Sequence, residues 1–126
     1  MEVLNNLQYT KNHEWVLIEE NIATVGITDY AQRELGDIVY VDVDTLDQNL
    51  TSNDVFGSVE AVKTVSDLYM PVSGKIIEIN KDLENAPEIL NQSPYKEGWI
   101  IKVQLSEKTI NNELLSPSEY KTLIGA

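Results

Sequence analysis

Lys63 is the residue whose surroundings most clearly suggest chemistry. Between positions 34 and 74 it is the only cationic residue. The acids of the same stretch are Glu34, Asp37, Asp42, Asp44, Asp47, Asp54, Glu60 and Asp67. Residues 59 to 65, which surround the lysine, are mostly small or β-branched and favour a strand and turn over a helix. A lysine in such a segment is usually an ordinary solvated side chain, so the charge pattern alone assigns it no role.

Several kinds of catalytic site are disfavoured by the composition. The chain has no cysteine, which excludes disulfides, thiolate metal sites and thiol nucleophiles, so redox chemistry would require an added group. His13 is the only histidine and lacks a second ligand of the usual type, so we expect it to pack beside Trp15 and not to bind a metal. A Schiff-base lysine needs desolvation or a cationic neighbour, whereas the charged neighbours of Lys63 are acids.

The overall charge limits the partners. With 21 acids and 9 bases the 126-residue chain has a formal charge of −12, which disfavours nucleic acids and anionic membranes and favours partners with basic faces. A solvated acidic surface explains the same excess. Residues 1–6 resemble neither a secretory nor a transit signal, and no apolar stretch is long enough to span a membrane. These features predict a cytoplasmic protein that folds as one domain over residues 1–126.

Short apolar runs between turn-rich pieces predict a mostly β fold. The predicted strands are Trp15–Ile18, Ile22–Ile27, Ile38–Val43, Val55–Val59, Ile76–Ile79 and Trp99–Leu105. In the last of these, Trp99, Ile101, Val103 and Leu105 alternate with Ile100, Lys102, Gln104 and Ser106, so we expect the first set to face inward and the second to face water. The polar stretch 44–54 is predicted to be an exposed loop.

Two helices have recognisable end signals. Ser116, Pro117 and Glu119 form a capping box that predicts a C-terminal helix over Pro117–Ile124, with Leu115 and Tyr120 as its hydrophobic staple. A second helix is predicted over Asp29–Leu35, capped by Thr28 or Asp29 and ended by Gly36 in a left-handed conformation. A third, weaker helix signal begins near Pro87.

Several ordered motifs resemble those of one known family. The segment from Gly57 to Gly74, which contains Lys63, closely resembles the lipoylation segment of glycine cleavage system H proteins. The segments 9–15, 26–32, 93–99 and 114–120 resemble further motifs of the same family in the same order, so the resemblance covers essentially the whole chain. Residues 44–47 and Lys96 depart from the family pattern, which affects the expected loop geometry and leaves the modification segment intact.

The resemblance implies a barrel-sandwich hybrid of the biotinyl/lipoyl type, with a few short peripheral helices including a C-terminal one. It also implies that Lys63 lies at the tip of a tight hairpin and carries one covalent lipoic acid. The protein would then be a carrier without catalytic or metal site of its own. Its lipoyl arm would supply the sulfur chemistry that a cysteine-free chain lacks.

The partners implied by the family are enzymes that act on this arm. A pyridoxal-phosphate glycine decarboxylase loads an aminomethyl group from glycine, and an aminomethyltransferase passes its carbon to tetrahydrofolate. A FAD-dependent dihydrolipoyl dehydrogenase then reoxidises the dithiol, and lipoate-attaching enzymes install the group. Glu14 and Asp67 match acidic positions of the family motifs and are expected to pair with the loaded amine. Glu60 and Gly74 are expected to contribute to recognition by the attaching enzyme, the glycine through its unusual backbone freedom.

Related carriers fit less well. A biotin carrier typically has methionines beside its lysine, where this chain has Val62 and Thr64. Lipoyl domains of 2-oxoacid dehydrogenases are shorter, usually have aspartate before the lysine, and lack the opening motif that contains His13 and Glu14. A paralogue that relays lipoyl groups to other complexes, or serves only as a docking module, remains the alternative function.

Overall fold

The computed structural model describes residues 1–106 and 114–126. Within them the chain is mostly β, as predicted, with strands joined by short helical segments. The strands are β1 (Gln8–Tyr9), β2 (Glu14–Glu19), β3 (Ile22–Ile27), β4 (Ile38–Asp42), β5 (Asn49–Leu50), β6 (Val55–Ala61), β7 (Val65–Tyr69), β8 (Gly74–Ile79) and β9 (Ile101–Leu105). The helices are α1 (Asp29–Leu35), α2 (Asp82–Asn85), α3 (Ile89–Gln92) and α4 (Pro117–Ile124).

Two antiparallel sheets enclose the main core. One has the strand order β1-β2-β3-β9-β8-β5 and the other β4-β6-β7. Inward-facing residues of both sheets, such as Val25, Val59 and Ile76, are fully buried and belong to one apolar cluster. Burial of this apolar surface is the main favourable contribution to folding. The two-sheet arrangement with short helices confirms the expected fold class.

Three of the strands were not predicted from the sequence. β1 pairs with β2, β7 pairs with β6, and β5 pairs with Lys75 and Gly74 of β8. The prediction of a loop over residues 44–54 is therefore wrong at Asn49 and Leu50, although most of the stretch is exposed. A two-residue strand has too few side chains for an alternation to be detected.

The predicted alternation in the last strand is wrong at its start. β9 begins at Ile101, and Ile100, expected to face water, is fully buried. Its backbone N–H donates to the Val25 carbonyl at 2.7 Å before regular pairing begins. Trp99 is only partly buried and packs in a second, smaller cluster. The regular alternation of a strand therefore does not include Trp99 and Ile100, the residues that precede β9.

The two capped helices form where their end signals predict. Thr28 Oγ1 accepts from the Ala31 N–H at 3.1 Å at the start of α1. Gly36 has φ +79° and ψ −155°, so its φ is positive as expected while its ψ lies outside the left-handed helical region. At α4 both hydrogen bonds of the capping box are present, between Ser116 and Glu119.

The other helical segments are shorter than a typical helix. α3 starts at Ile89, two residues after the predicted Pro87 start, and α2 has no counterpart among the predictions. Tyr120 of α4 is fully buried and belongs to the same small cluster as Leu115, in agreement with the predicted staple. In the described part of the chain no helix has the length and apolar character needed to cross a membrane.

Candidate carrier site

Lys63 lies at the tip of the β6–β7 hairpin. Glu60 pairs with Val65, and the Ala61 N–H donates to the Thr64 carbonyl at 2.7 Å. This closing bond leaves Val62 and Lys63 as the two residues of the turn, and both are exposed. The tight hairpin implied by the family resemblance is therefore present, although none of the usual hairpin dipeptides, such as Asn-Gly, occurs there.

The hairpin is held against the end of helix α1. The Val62 N–H donates to the Asp37 carbonyl at 3.0 Å. Lys63 Cε lies 3.7 Å from the position that a Cβ on Gly36 would take, so the lysine stem passes over the C-terminal end of the helix. Within residues 1–106 and 114–126 the Lys63 amine forms no ion pair. The amine therefore extends from a hairpin that is held in place against α1.

Glu14 is a buried carboxylate at the start of β2, with 2% of its surface exposed. Its Oε1 accepts from Thr10 Oγ1 at 3.1 Å and its Oε2 accepts from the Tyr69 N–H at 2.8 Å. Because β7 is an edge strand, this carboxylate occupies a position that a neighbouring strand would otherwise take. Burial raises the pKa of Glu14 to about 7, although both hydrogen bonds oppose the increase. The group therefore titrates near neutral pH.

Asp67 is an exposed residue of β7, two positions from Tyr69. It lines a cleft of about 270 Å³ between β7 and α1, which we call the α1 cleft. The other residues of the α1 cleft are Asn12, His13, Ile27, Tyr30, Ala31, Glu34, Leu35, Val59, Ser66 and Leu68. Its walls are mainly apolar, with the carboxylates of Asp67 and Glu34 beside them.

Glu14 and Asp67 therefore line two neighbouring clefts. Glu14 lies in a cleft of about 230 Å³ with Thr10, Lys11 and Met70, and Asn12 lines both this cleft and the α1 cleft. The expected pair of acids is thus brought to one region, on either side of Asn12. The α1 cleft is bordered by the same helix over whose end Lys63 passes, so it lies on the side of the hairpin that the lysine faces.

His13 does not lie where the sequence suggested. Its ring packs against Tyr30, with centroids 4.7 Å apart, and its Nδ1 lies 3.0 Å from the Tyr120 hydroxyl, so the prediction of a contact with Trp15 is wrong. The same hydroxyl lies 2.7 Å from Thr28 Oγ1, the cap of α1. Burial lowers the pKa of His13, partly opposed by the charge of Glu34. This chain of contacts links α4, α1 and the α1 cleft.

Glu60 and Gly74 have different environments. Glu60 is an exposed residue of β6, three positions before the lysine. Gly74 is buried, and a Cβ there would lie 2.2 Å from the Gln104 carbonyl oxygen. Its φ is not positive, so the expectation that this glycine provides unusual backbone freedom is wrong. Position 74 requires a glycine because β9 lies too close to leave room for a side chain.

The sequence did not reveal the residues that complete the two clefts. Tyr30, Glu34 and Asn12 line the α1 cleft, and the Tyr69 N–H anchors Glu14. A backbone N–H has no signature in the sequence. Tyr30 and Glu34 lie one helical turn apart on α1, which is the only local signal that they share a face.

Comparison with known proteins identifies the family. The family model for the glycine cleavage H-protein matches residues 7–125. The chain belongs to this family. It is 54% identical over 125 residues to a glycine cleavage system H protein of Staphylococcus epidermidis and 53% identical to one of Staphylococcus haemolyticus, each match covering 99% of both chains. A crystal structure of a glycine cleavage system H protein from Mycobacterium marinum superposes with a TM-score of 0.91 at 35% identity, covering 98% of this chain and 100% of that one.

Membership of this family assigns the chain a general role. H proteins are the lipoyl carriers of the glycine cleavage system, and they are carrier subunits and not catalysts. The partners of this protein therefore lie within that system. The fold, the hairpin and the matches over nearly the full length agree with this role.

Proposed function

We propose that Lys63 carries a lipoyl group in amide linkage and that this arm shuttles the aminomethyl group of glycine. The observation that carries the proposal is the position of Lys63, which is exposed at a hairpin tip, fixed at its base and without an ion pair in the described part of the chain. Such an amine is accessible to an enzyme that must enclose it. The dithiolane of lipoic acid would supply the sulfur chemistry that this cysteine-free chain lacks.

The proposed partners are the enzymes that load, unload and reoxidise the arm. They are a pyridoxal-phosphate glycine decarboxylase, a tetrahydrofolate-dependent aminomethyltransferase and a FAD-dependent dihydrolipoyl dehydrogenase, together with lipoate-attaching enzymes, all in the cytoplasm. Residues 1–126 would act as a single carrier domain. Tethering of the cargo gives each enzyme a high local concentration of its substrate once the carrier has bound.

The two acid-lined clefts are the proposed resting place of the loaded arm. Its terminal amine is cationic when protonated. Asp67 lines the α1 cleft on the side of the hairpin that the lysine faces, and Glu14 lines the neighbouring cleft, which shares Asn12 with it. Pairing with an ammonium group would favour the ionised form of Glu14, whose pKa is otherwise raised to about 7 by burial. Release of the loaded group should therefore be faster in Glu14→Gln and Asp67→Asn than in the wild type. Unchanged release rates in both variants would contradict this assignment.

Recognition by the attaching enzyme is proposed to involve the exposed hairpin. Glu60 presents a carboxylate beside the turn, where a basic enzyme surface can contact it. Gly74 would act indirectly, because its small size permits the close packing of β8 on β9. Glu60→Gln should lower the rate of lipoylation without changing the fold.

Peptide mass spectrometry across Lys63 tests the central proposal. Protein purified from its native host should carry a lipoyl adduct at this residue, and Lys63→Arg should accept neither lipoate nor carbon from glycine. Lys75→Arg is a matched control, since Lys75 is also exposed beside a β ladder. An unmodified Lys63 in the host, or a Lys63→Arg form that still accepts carbon, would overturn the proposal. Reconstitution with the decarboxylase separates the shuttle from a lipoyl relay, because only the shuttle is loaded from glycine.

A further inference from the structure

A second concave surface lies at the end of β4 away from the lysine hairpin. It is a groove of about 800 Å³ that continues into a smaller one of about 240 Å³, both lined by Val43, Ile79, Asn80 and Glu84. We call their union the distal groove. The remaining residues of the distal groove are Tyr40, Val41, Asp42, Asp44, Leu46, Ile77, Glu78, Lys81, Asp82, Leu83, Trp99 and Ile100.

Apolar side chains are exposed in the distal groove. Leu46 is 46% exposed, Tyr40 is 53% exposed and Ile77 is 38% exposed. Ile77 follows the buried Ile76 and points outward by the ordinary alternation of a strand, and the register shift between Ile76 and Glu78 leaves Glu78 exposed beside it. Exposed apolar side chains gathered in a concave surface with a polar border are a feature of protein interaction sites.

The border of the distal groove is strongly acidic. Its carboxylates come from Asp42, Asp44, Glu78, Asp82 and Glu84, and among the described lining residues Lys81 is the one cation. The nearby Lys102 is already engaged, since its Nζ lies 3.9 Å from Glu78 Oε1 and 5.0 Å from the centre of the Trp99 ring. The field over the groove is therefore negative and complements a basic surface.

We propose that the distal groove docks a protein partner that presents an apolar ridge flanked by basic residues. The charge of the groove decides among possible occupants. A second copy of this chain, which has a formal charge of −12, would be repelled, whereas a basic face would be attracted and oriented before contact. The apolar side chains then provide the area that is desolvated on binding.

The distal groove and the lysine arm can be used at the same time. β4 pairs with β6 from Ile38, opposite Ala61 beside the hairpin, to Asp42, opposite Ser58. At about 3.3 Å per residue these two positions are roughly 13 Å apart, and Tyr40, which pairs with Glu60, is the lining residue of β4 nearest the hairpin. Most of the groove lies beyond Tyr40, away from the hairpin tip, so a partner there can leave Lys63 accessible. This part of the inference rests on the proposed carrier function. The partner is then one of the enzymes that act on the arm, and the groove holds that enzyme while its active site receives the arm of Lys63.

Charge reversal in the groove tests this inference. Asp44→Lys combined with Glu84→Lys should raise the KM for the lipoylated carrier by about tenfold in the reaction of the docked enzyme, with kcat unchanged, because docking and not chemistry is weakened. Glu19→Lys combined with Glu20→Lys is the matched control, since it changes the net charge equally at the exposed β2–β3 turn. Steady-state kinetics with the decarboxylase, aminomethyltransferase and dehydrogenase, each acting on the lipoylated carrier, would identify the partner.

A thiol probe gives an independent measurement. The chain has no cysteine, so Leu46→Cys introduces a unique thiol into the groove, and the docked enzyme should slow its alkylation, whereas Glu19→Cys should react at an unchanged rate. The inference is overturned if no enzyme protects the thiol and no KM changes, or if the control variant changes KM equally. Lipoylation of the groove variants, checked by intact mass, separates this failure from a failure of the carrier function itself.

Discussion

The buried carboxylate of Glu14 should leave a measurable signature in the pH dependence of stability. Burial raises its pKa from the ordinary value of 4.5 to about 7, while hydrogen bonds from Tyr69 and Thr10 only partly oppose the increase. Glu14→Gln removes the ionisable group and keeps an amide oxygen that can accept from the Tyr69 N–H. The difference between the two proteins therefore isolates one titration.

The sign of the effect follows from proton binding. Between about pH 4.5 and about pH 7 the folded protein keeps the Glu14 proton, whereas the unfolded chain has lost it, so this group makes the folded state less stable as pH rises. At about 1.4 kcal/mol per pH unit, the interval corresponds to about 3 kcal/mol. This destabilisation is absent below the pKa that Glu14 has in the unfolded chain, and it reaches its full value above the pKa that Glu14 has in the folded protein. Because the Glu14 side chain is buried, solvent screening reduces this figure little.

Urea unfolding at a series of pH values is the appropriate assay. The free energy of unfolding of Glu14→Gln minus that of the wild type should increase by about 3 kcal/mol from about pH 4.5 to about pH 8. The other carboxylates are present in both proteins and cancel in the difference. Glu19→Gln removes an exposed carboxylate of the same strand and should show no such increase. Parallel stability curves for Glu14→Gln and the wild type would refute the reasoning.

Three further changes test contacts that hold the carrier together. Ser116→Ala removes one half of the capping box and should lower the free energy of unfolding by about 1 kcal/mol in urea titrations, whereas Ser118→Ala should change it much less. Gly74→Ala places a Cβ against the Gln104 carbonyl oxygen and should destabilise by more than about 2 kcal/mol, seen as a lower Tm. Tyr120→Phe deletes a buried hydroxyl that contacts two partners and should cost about 1–3 kcal/mol by the same urea assay.

The controls and contrary outcomes are specific to each change. Lys75→Ala, adjacent to Gly74 but exposed, should leave the Tm nearly unchanged, and an equal loss in both variants would argue against the close packing. Tyr40→Phe removes an exposed hydroxyl and is the reference for Tyr120→Phe. If Tyr120→Phe were as stable as the wild type, the contacts with His13 and Thr28 would contribute nothing.

The sequence determined the features that depend on a few adjacent residues. The strand Ile22–Ile27 and the helix Asp29–Leu35 were predicted with the bounds that the structure has, because apolar periodicity and capping residues are local signals. The lysine was singled out by its charge environment, and its role was indicated by the family motifs around it. Its place at the tip of a hairpin came from those motifs, since no dipeptide there predicts the turn.

Only the tertiary structure decided which distant groups meet. Glu14 and the Tyr69 N–H are 55 positions apart, and His13 and Tyr120 are 107 apart, so no local pattern could place either pair in contact. The burial of Ile100 and the small size of Gly74 likewise depend on how closely β9 approaches its neighbours. Local structure is specified by neighbours within one or two turns, whereas the pKa of Glu14 and the shape of both clefts arise only when separate strands exclude water together.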